Sequence, residues 1–235
     1  MNAPCMTALT DAINALRKGQ FVLLHDSKSR ENEIDMVIAA EFVTPSHVAR
    51  IRSDAGGLLC LAVRHDVAKR LGLLYMHDML HMLEDVNPTM GKLANGKSPY
   101  GDKPAFSIAI NHKETYTGIT DSDRALTIAE MARICSKSLN GHDTQHDFIS
   151  TFRAPGHVPI LIASEGLLNE RLGHTELAVY LTQLAGLTPA VAICEMLDGT
   201  TYKALSIDRA QKYSKENDVV IVEGNDLEVH FAKVH

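Results

Sequence analysis

The sequence predicts an α+β protein. Three observations carry this. Apolar runs of strand length and longer runs with helical spacing mix along the chain. They do not alternate with the spacing of a doubly wound sheet, so a Rossmann or P-loop nucleotide site is not expected, and no GxGxxG occurs. The apolar fraction, 45% of 235 residues, is that of an ordinary globular protein with a sizeable core.

Each element follows from local chemistry. Thr7 to Lys18 carries apolar residues at Leu9, Ala12, Ile13 and Leu16 and ends at Gly19, which reads as a helix with a glycine stop. Phe21–Leu24 and Met36–Ala40 read as strands. Thr44-Pro45 supplies an N-cap and a first helical residue for a helix toward Ser53, stopped by Gly56-Gly57. Leu58–Val63 is a buried strand. Glu84 to Pro104, with Pro88, Pro99 and Pro104, is expected to be a long irregular loop, and loops of that length are often functional. Phe106–Ile110 is a strand, and Ser122–Ser136 a helix capped by Ser122 or Asp121. Asn140–Asp147 reads as a loop. Val158–Ala163 is a strand, Thr175–Ala185 a helix, Ala190–Cys194 a strand, Ile207–Lys215 a helix and Val219–Val222 a last strand. There is no internal repeat and no low-complexity linker.

The net charge of −6 argues against general nucleic-acid affinity, which needs clustered Lys and Arg. Cys5, Cys60, Cys135 and Cys194 are widely spaced and form no CxxC pair, so reduced thiols in a cytoplasmic protein are expected. No apolar run has the length of a membrane helix, and the start MNAPCMTALTD lacks the pattern of a signal peptide.

The stretch HDSKSRENEIDM, His25 to Met36, places Asp26, Glu31, Glu33 and Asp35 with Arg30 between two apolar runs. Close carboxylates raise one another's pKa, and they bind hard divalent cations through oxygen. Arg30 can take a phosphate or carboxylate on its two-pronged guanidinium. A solvated connector is the competing reading. In RLGHTE, Arg171 to Glu176, Thr175 stands as an N-cap, Arg171 adds a positive charge for an anion, and His174 can ligate a metal or move a proton; an ordinary capped helix is the alternative. His157 follows a Pro-Gly turn in RAPGHV, and Glu195 closes the apolar run AVAIC. Cys60 is a core residue unless its strand end faces a site. TGITDSDRALT, with Thr117, Gly118 and Thr120, can cradle a phosphate or merely cap a helix. His142 and His146 are four apart, but in a loop and without the glutamate of HExxH.

Taken in order, SRENEIDM, DAGGLLCLA, TGITDSDRALT, RAPGHV, RLGHTE and ICEM resemble 3,4-dihydroxy-2-butanone-4-phosphate synthase, from the first helix to Glu195. Three stretches depart from the family: Ile34 stands where it has glycine, Ser27-Lys28-Ser29 where it is often acidic, and MLDGTTYKALS after Glu195 is only loosely like its acidic-glycine turn. The resemblance implies one domain over residues 1–235, a mixed β-sheet core flanked by helices. It implies a lyase of riboflavin biosynthesis that turns ribulose 5-phosphate into the butanone phosphate and formate. Mg²⁺ or Mn²⁺, a homodimer and the stand-alone form come with it. By motif, Glu31 and His174 match metal ligands. Asp26, Glu33, Asp35, His157 and Glu195 match the acid-base and substrate-hydroxyl group, so Asp35 counts among both catalytic and substrate-binding residues. Arg30, Arg171 and Thr175 match phosphate and substrate contacts, and Cys60 and Thr117 lie near substrate. Other metal-dependent pentose-phosphate isomerases or aldolases, and a non-catalytic sugar-phosphate sensor, are the alternatives.

Overall fold

A computed structural model describes residues 3–96, 98 and 101–234. Seven strands form one mixed sheet. In chain order they are β1 (Val22–His25), β2 (Ile34–Ala39), β3 (Cys60–Val63), β4 (Phe106–His112), β5 (Phe152–Ile162), β6 (Ala190–Glu195) and, after the short hairpin of β7 (Leu197–Asp198) and β8 (Lys203–Ala204), β9 (Val220–Glu223). The order across the sheet is β4-β5-β3-β6-β2-β1-β9. Pairs β1/β9 and β3/β5 are parallel; β1/β2, β2/β6, β3/β6 and β4/β5 are antiparallel.

The central strands are buried on both faces, so they read as continuous apolar runs rather than alternating ones. Period two then splits their side chains between two cores. Leu23, Met36, Ile38, Leu61, Val63, Ala192 and Cys194 face one core. Val22, Leu24, Val37, Ala62, Val191 and Val222 face the other. Helices cover both. They are α1 (Ala3–Arg17), α2 (Pro45–Asp54), α3 (His65–Arg70), α4 (Met76–Met82), α5 (Pro88–Leu93), α6 (Asp121–Leu139), α7 (Gln145–Thr151), α8 (His174–Leu184), α9 (Ile207–Asn217) and α10 (Gly224–Val234). The first core packs on α2 and α6, the second on α1, α8 and α10. The expected mixed sheet flanked by helices is what forms.

Several local expectations need correction. Helix α6 is capped by Thr120, whose hydroxyl takes the Asp123 N–H, not by Ser122 or Asp121, which lie inside its first turn. The cap of α8 is Gly173, so Thr175 is the second helical residue. RAPGHV is not a turn before a strand: Arg153 to Val158 belongs to β5, whose pairing with β4 shifts register there. The expected loop 84–104 holds helix α5, because Asn87 caps it through the Thr89 N–H and Pro88 stands first in the helix. Lys97, Pro99 and Tyr100 of that loop lie outside the described residues. Cys60, Cys135 and Cys194 are free and buried; the Cys5 side chain also lies outside the description. Among the described residues no helix is long and apolar enough to cross a membrane.

Candidate active site

The site sits at one end of the sheet. β1, β6 and β9 finish there, and their antiparallel neighbours β2 and β3 begin there. Asp35 and Glu195 are direct cross-strand partners. Asp35 shares a sheet face with Val37, Glu195 with Ile193 and Cys60 with Ala62, so all three point to the face covered by α8. Two like charges directly opposite cost stability in a sheet. A chain keeps such a pair where something other than stability depends on it.

The cavity here measures about 210 Å³ and is lined by Glu31, Asp35, Cys60, Arg171, His174, Thr175 and Glu195 among others. His174 is its hub. Nδ1 lies 3.1 Å from Glu31 Oε2, and Nε2 lies 3.2 Å from the Glu33 carbonyl. Asp35 Oδ1 and Asp26 Oδ1 stand 3.8 and 3.9 Å from Nε2. Burial disfavours the imidazolium, but Asp35, Glu31 and Asp26 outweigh it and raise the pKa to about 9. Asp35 is pushed up to about 7, first by burial, then by Glu195, Glu33 and Glu31, with His174 opposing. Its Oδ1 is buried with no hydrogen-bond partner. Glu33 is also raised, by burial and then by Glu31. The Cys60 thiol is pushed well above its ordinary value by burial and by Glu195, so Cys60 stays a neutral thiol.

The acidic loop between β1 and β2 is built, not slack. Asp26 is buried, and its Oδ2 and Oδ1 accept the N–H groups of Glu31 and Glu33 at 3.0 and 3.1 Å. Glu195 is held in a similar way. The Leu58 N–H donates to its Oε2 at 2.8 Å, and Gly57 packs so closely that a Cβ there would lie 2.5 Å from that oxygen. Gly56-Gly57 is visible in the sequence as a helix stop. That Gly57 makes room for a carboxylate 138 positions on is visible only in the fold.

Both arginines meet Asp102. Arg30 donates to its Oδ2 from Nε at 3.2 Å and from Nη2 at 2.8 Å, and Arg171 Nε is 3.5 Å from the same oxygen. Arg171 Nη1 also donates to Glu176, 2.6 Å away; that carboxylate is fully buried and takes the N–H and hydroxyl of Ser164 as well. Sequence reasoning assigned no role to Asp102 or Glu176. Glu176 lies inside RLGHTE, but its pairing with Arg171 folds around Gly173, the cap of α8.

His157 and Thr117 are not among the cavity's lining residues. They lie together instead, joined by buried Asn111. Its Oδ1 accepts the His157 N–H at 2.7 Å, and its Nδ2 donates to the Thr117 carbonyl at 3.1 Å. Both are exposed.

A hard divalent cation fits the centre. One ligand atom each of Asp26, Glu31 and His174 lies within 4.8 Å of the others, the one such group among the described residues. The donors are oxygen and imidazole nitrogen, the set Mg²⁺ and Mn²⁺ accept. His142 and His146 form no such group. A cation would also relieve the crowding of four carboxylates that raises Asp35 and Glu33.

Comparison with known proteins agrees with this chemistry. The family model for 3,4-dihydroxy-2-butanone 4-phosphate synthase matches residues 10–230. A synthase of that name from Methanothermobacter thermautotrophicus is 44% identical over 220 residues, 93% of each chain. One from Candida albicans is 33% identical, over 97% of this chain and 98% of its own. A crystal structure of a 3,4-dihydroxy-2-butanone 4-phosphate synthase in complex with two magnesium ions superposes with a TM-score of 0.76 at 29% identity, covering 96% of both chains.

Proposed function

The chain belongs to the 3,4-dihydroxy-2-butanone 4-phosphate synthase family of riboflavin biosynthesis, and we propose that it converts D-ribulose 5-phosphate to L-3,4-dihydroxy-2-butanone 4-phosphate and formate. The observation that carries this reading is the cavity between β2, β6 and α8. It joins a cation-ready Glu31–His174 pair to the buried Asp35 carboxyl, which is pushed up to about 7.

The reaction removes a proton beside a ketone, expels water, shifts the carbon skeleton and releases C4 as formate. Every step moves a proton. Asp35, at about 7, is present in both protonation states at neutral pH and serves as base and then acid. Glu33 and Glu195 supply further carriers on either side of it. Asp26 shapes the loop through two backbone N–H groups, which makes its role here chiefly one of geometry. Cys60, kept as a thiol, is a compact wall and weak donor rather than a nucleophile. Glu31 and His174 would hold the cation, Mg²⁺ or Mn²⁺, which would supply Lewis-acid chemistry beside these carboxyls when bound. Arg30, Arg171 and Thr175 receive the phosphate, with the first turn of α8 contributing its dipole.

Two proposed residues, His157 and Thr117, stand exposed on the Asn111 face of a single chain. A homodimer that seats this face over a partner's cavity accommodates them in the site. We place the enzyme in the cytoplasm, as a single domain over residues 1–235. The test is incubation with ribulose 5-phosphate labelled at C4, with Mg²⁺, read by carbon NMR. Label appearing in formate is expected. Label retained in a five-carbon sugar phosphate points to an isomerase, label in an aldol fragment to an aldolase, and binding without turnover to a sensor.

A further inference from the structure

The acidic loop depends on contacts outside itself. Asn32, between Glu31 and Glu33, has φ +54°, in the left-handed region. Its conformation sets the directions from which the side chains of its two neighbours start. The Asn32 N–H closes the turn on the Ser27 carbonyl at 3.1 Å, and its side-chain amide meets Nε2 of His25 at 3.2 Å. His25 is buried, and its Nδ1 lies 2.5 Å from Glu223 Oε2. A carboxylate on one imidazole nitrogen fixes the ring and leaves the other nitrogen aimed at one partner.

Glu223 ends β9 and stands beside His25 in the parallel β1/β9 pair. The next residue, Gly224, packs on the root of the same loop: a Cβ there would lie 2.6 Å from the Asp26 carbonyl oxygen. The last strand therefore touches the base of the acidic loop at two consecutive residues. No motif pointed to this part of the chain.

We infer that Glu223, His25 and Asn32 form a positioning relay, in which the end of β9 holds the left-handed turn that sets Glu31 against His174 and Glu33 beside it. None of the three touches the cavity; they act through the loop. The inference rests on the proposed role of Glu31 as a metal ligand, and its test separates the two.

Asn32→Gly keeps the left-handed backbone at no steric cost but removes the amide. Glu223→Gln keeps the shape but removes the charge that orients His25. Each is compared with Glu31→Gln by Mn²⁺ titration followed by electron paramagnetic resonance. Hydrogen exchange of the Glu31 and Glu33 amides is measured on the metal-free proteins. Loss of a partner behind a metal ligand typically weakens affinity or activity about 10- to 100-fold. The relay predicts roughly tenfold weaker Mn²⁺ binding and a comparable fall in kcat/KM in Asn32→Gly and Glu223→Gln, with faster exchange at both amides and an unchanged near-UV spectrum. If Glu31→Gln weakens Mn²⁺ binding and the two relay variants bind and exchange as the parent does, the relay is wrong. If Glu31→Gln leaves Mn²⁺ binding intact, the ligand assignment falls. Exchange alone then decides the relay: faster in the variants, it stands; unchanged, it falls.

Discussion

Gly57→Ala tests whether the position of the Glu195 carboxylate, rather than its presence, matters to turnover. A Cβ at Gly57 would lie 2.5 Å from Glu195 Oε2 and 2.5 Å from the Glu195 carbonyl oxygen, where ordinary contact begins at 3.4 Å. The shortfall is roughly 0.9 Å. The carbonyl oxygen cannot retreat by that much, because the end of β6 is paired with β2 on one side and accepts the Gly57 N–H on the other. The side chain can. It leaves the Leu58 N–H and swings away from Asp35. Overpacking of this kind costs about 1–3 kcal/mol of stability, and a displacement of about 1 Å in a reacting group costs roughly a hundredfold in rate. The control is Gly56→Ala, one residue earlier. Gly56 has φ +83° and open space around its Cβ position, so the cost is conformational, about 1–2 kcal/mol, and reaches no carboxylate. For a chain of this size each lost kcal/mol lowers Tm by about 2–4 °C. Both variants should therefore melt several degrees early. Formate release should fall about a hundredfold in kcat for Gly57→Ala and stay within about threefold for Gly56→Ala. Wild-type kcat in Gly57→Ala, or equal losses in the two, would refute the reasoning.

Asp35→Asn removes the largest of the charges that raise His174, so the ring should titrate well below its parent value of about 9, as followed by NMR of the imidazole protons. The sign for stability follows: a raised His174 contributes most below about pH 6.5, and the contribution is lost as pH climbs toward 9. Denaturant unfolding at pH 6 and pH 9.5 should show a smaller difference in Asp35→Asn. Arg171→Ala should raise KM more than it lowers kcat, since a phosphate anchor gives largely uniform binding. It also strands buried Glu176, at a cost of about 3–5 kcal/mol. Adding Glu176→Gln should recover most of the lost Tm and none of the KM, and recovery of both would make Arg171 purely structural. Glu31→Gln should lose Mg²⁺ affinity in calorimetry, whereas Glu33→Gln should bind metal and substrate but stall in a single turnover. Equal loss of metal binding in the two would show the loop acting as one electrostatic unit.

Much of this molecule is legible in its sequence because the signals are local. Gly19 ends α1, Pro45 starts α2, and apolar runs of four to six residues mark strands buried on both faces. The density of carboxylates in RENEID marks a site for the same reason. Its three carboxylates, with Asp26 just ahead, make four within ten residues, and these must interact whatever the fold. The misplaced caps at Thr175 and Ser122 show the limit of that reasoning. Several adjacent residues can cap a helix, and the backbone angles that choose among them are set by packing.

What tertiary structure alone decides is pairing across sequence distance. Composition cannot tell that Asp35 faces Glu195, since that is a matter of strand register between elements 160 positions apart. Nor can it tell that Asp102 joins Arg30 to Arg171, that Gly57 makes room for Glu195, or that Glu223 braces Asn32 through His25. The residue types, and hence the chemistry available, were written in the chain. Which carboxyl sits near neutral pH depends on who is buried against whom, because desolvation and Coulomb energy are functions of position and not of sequence.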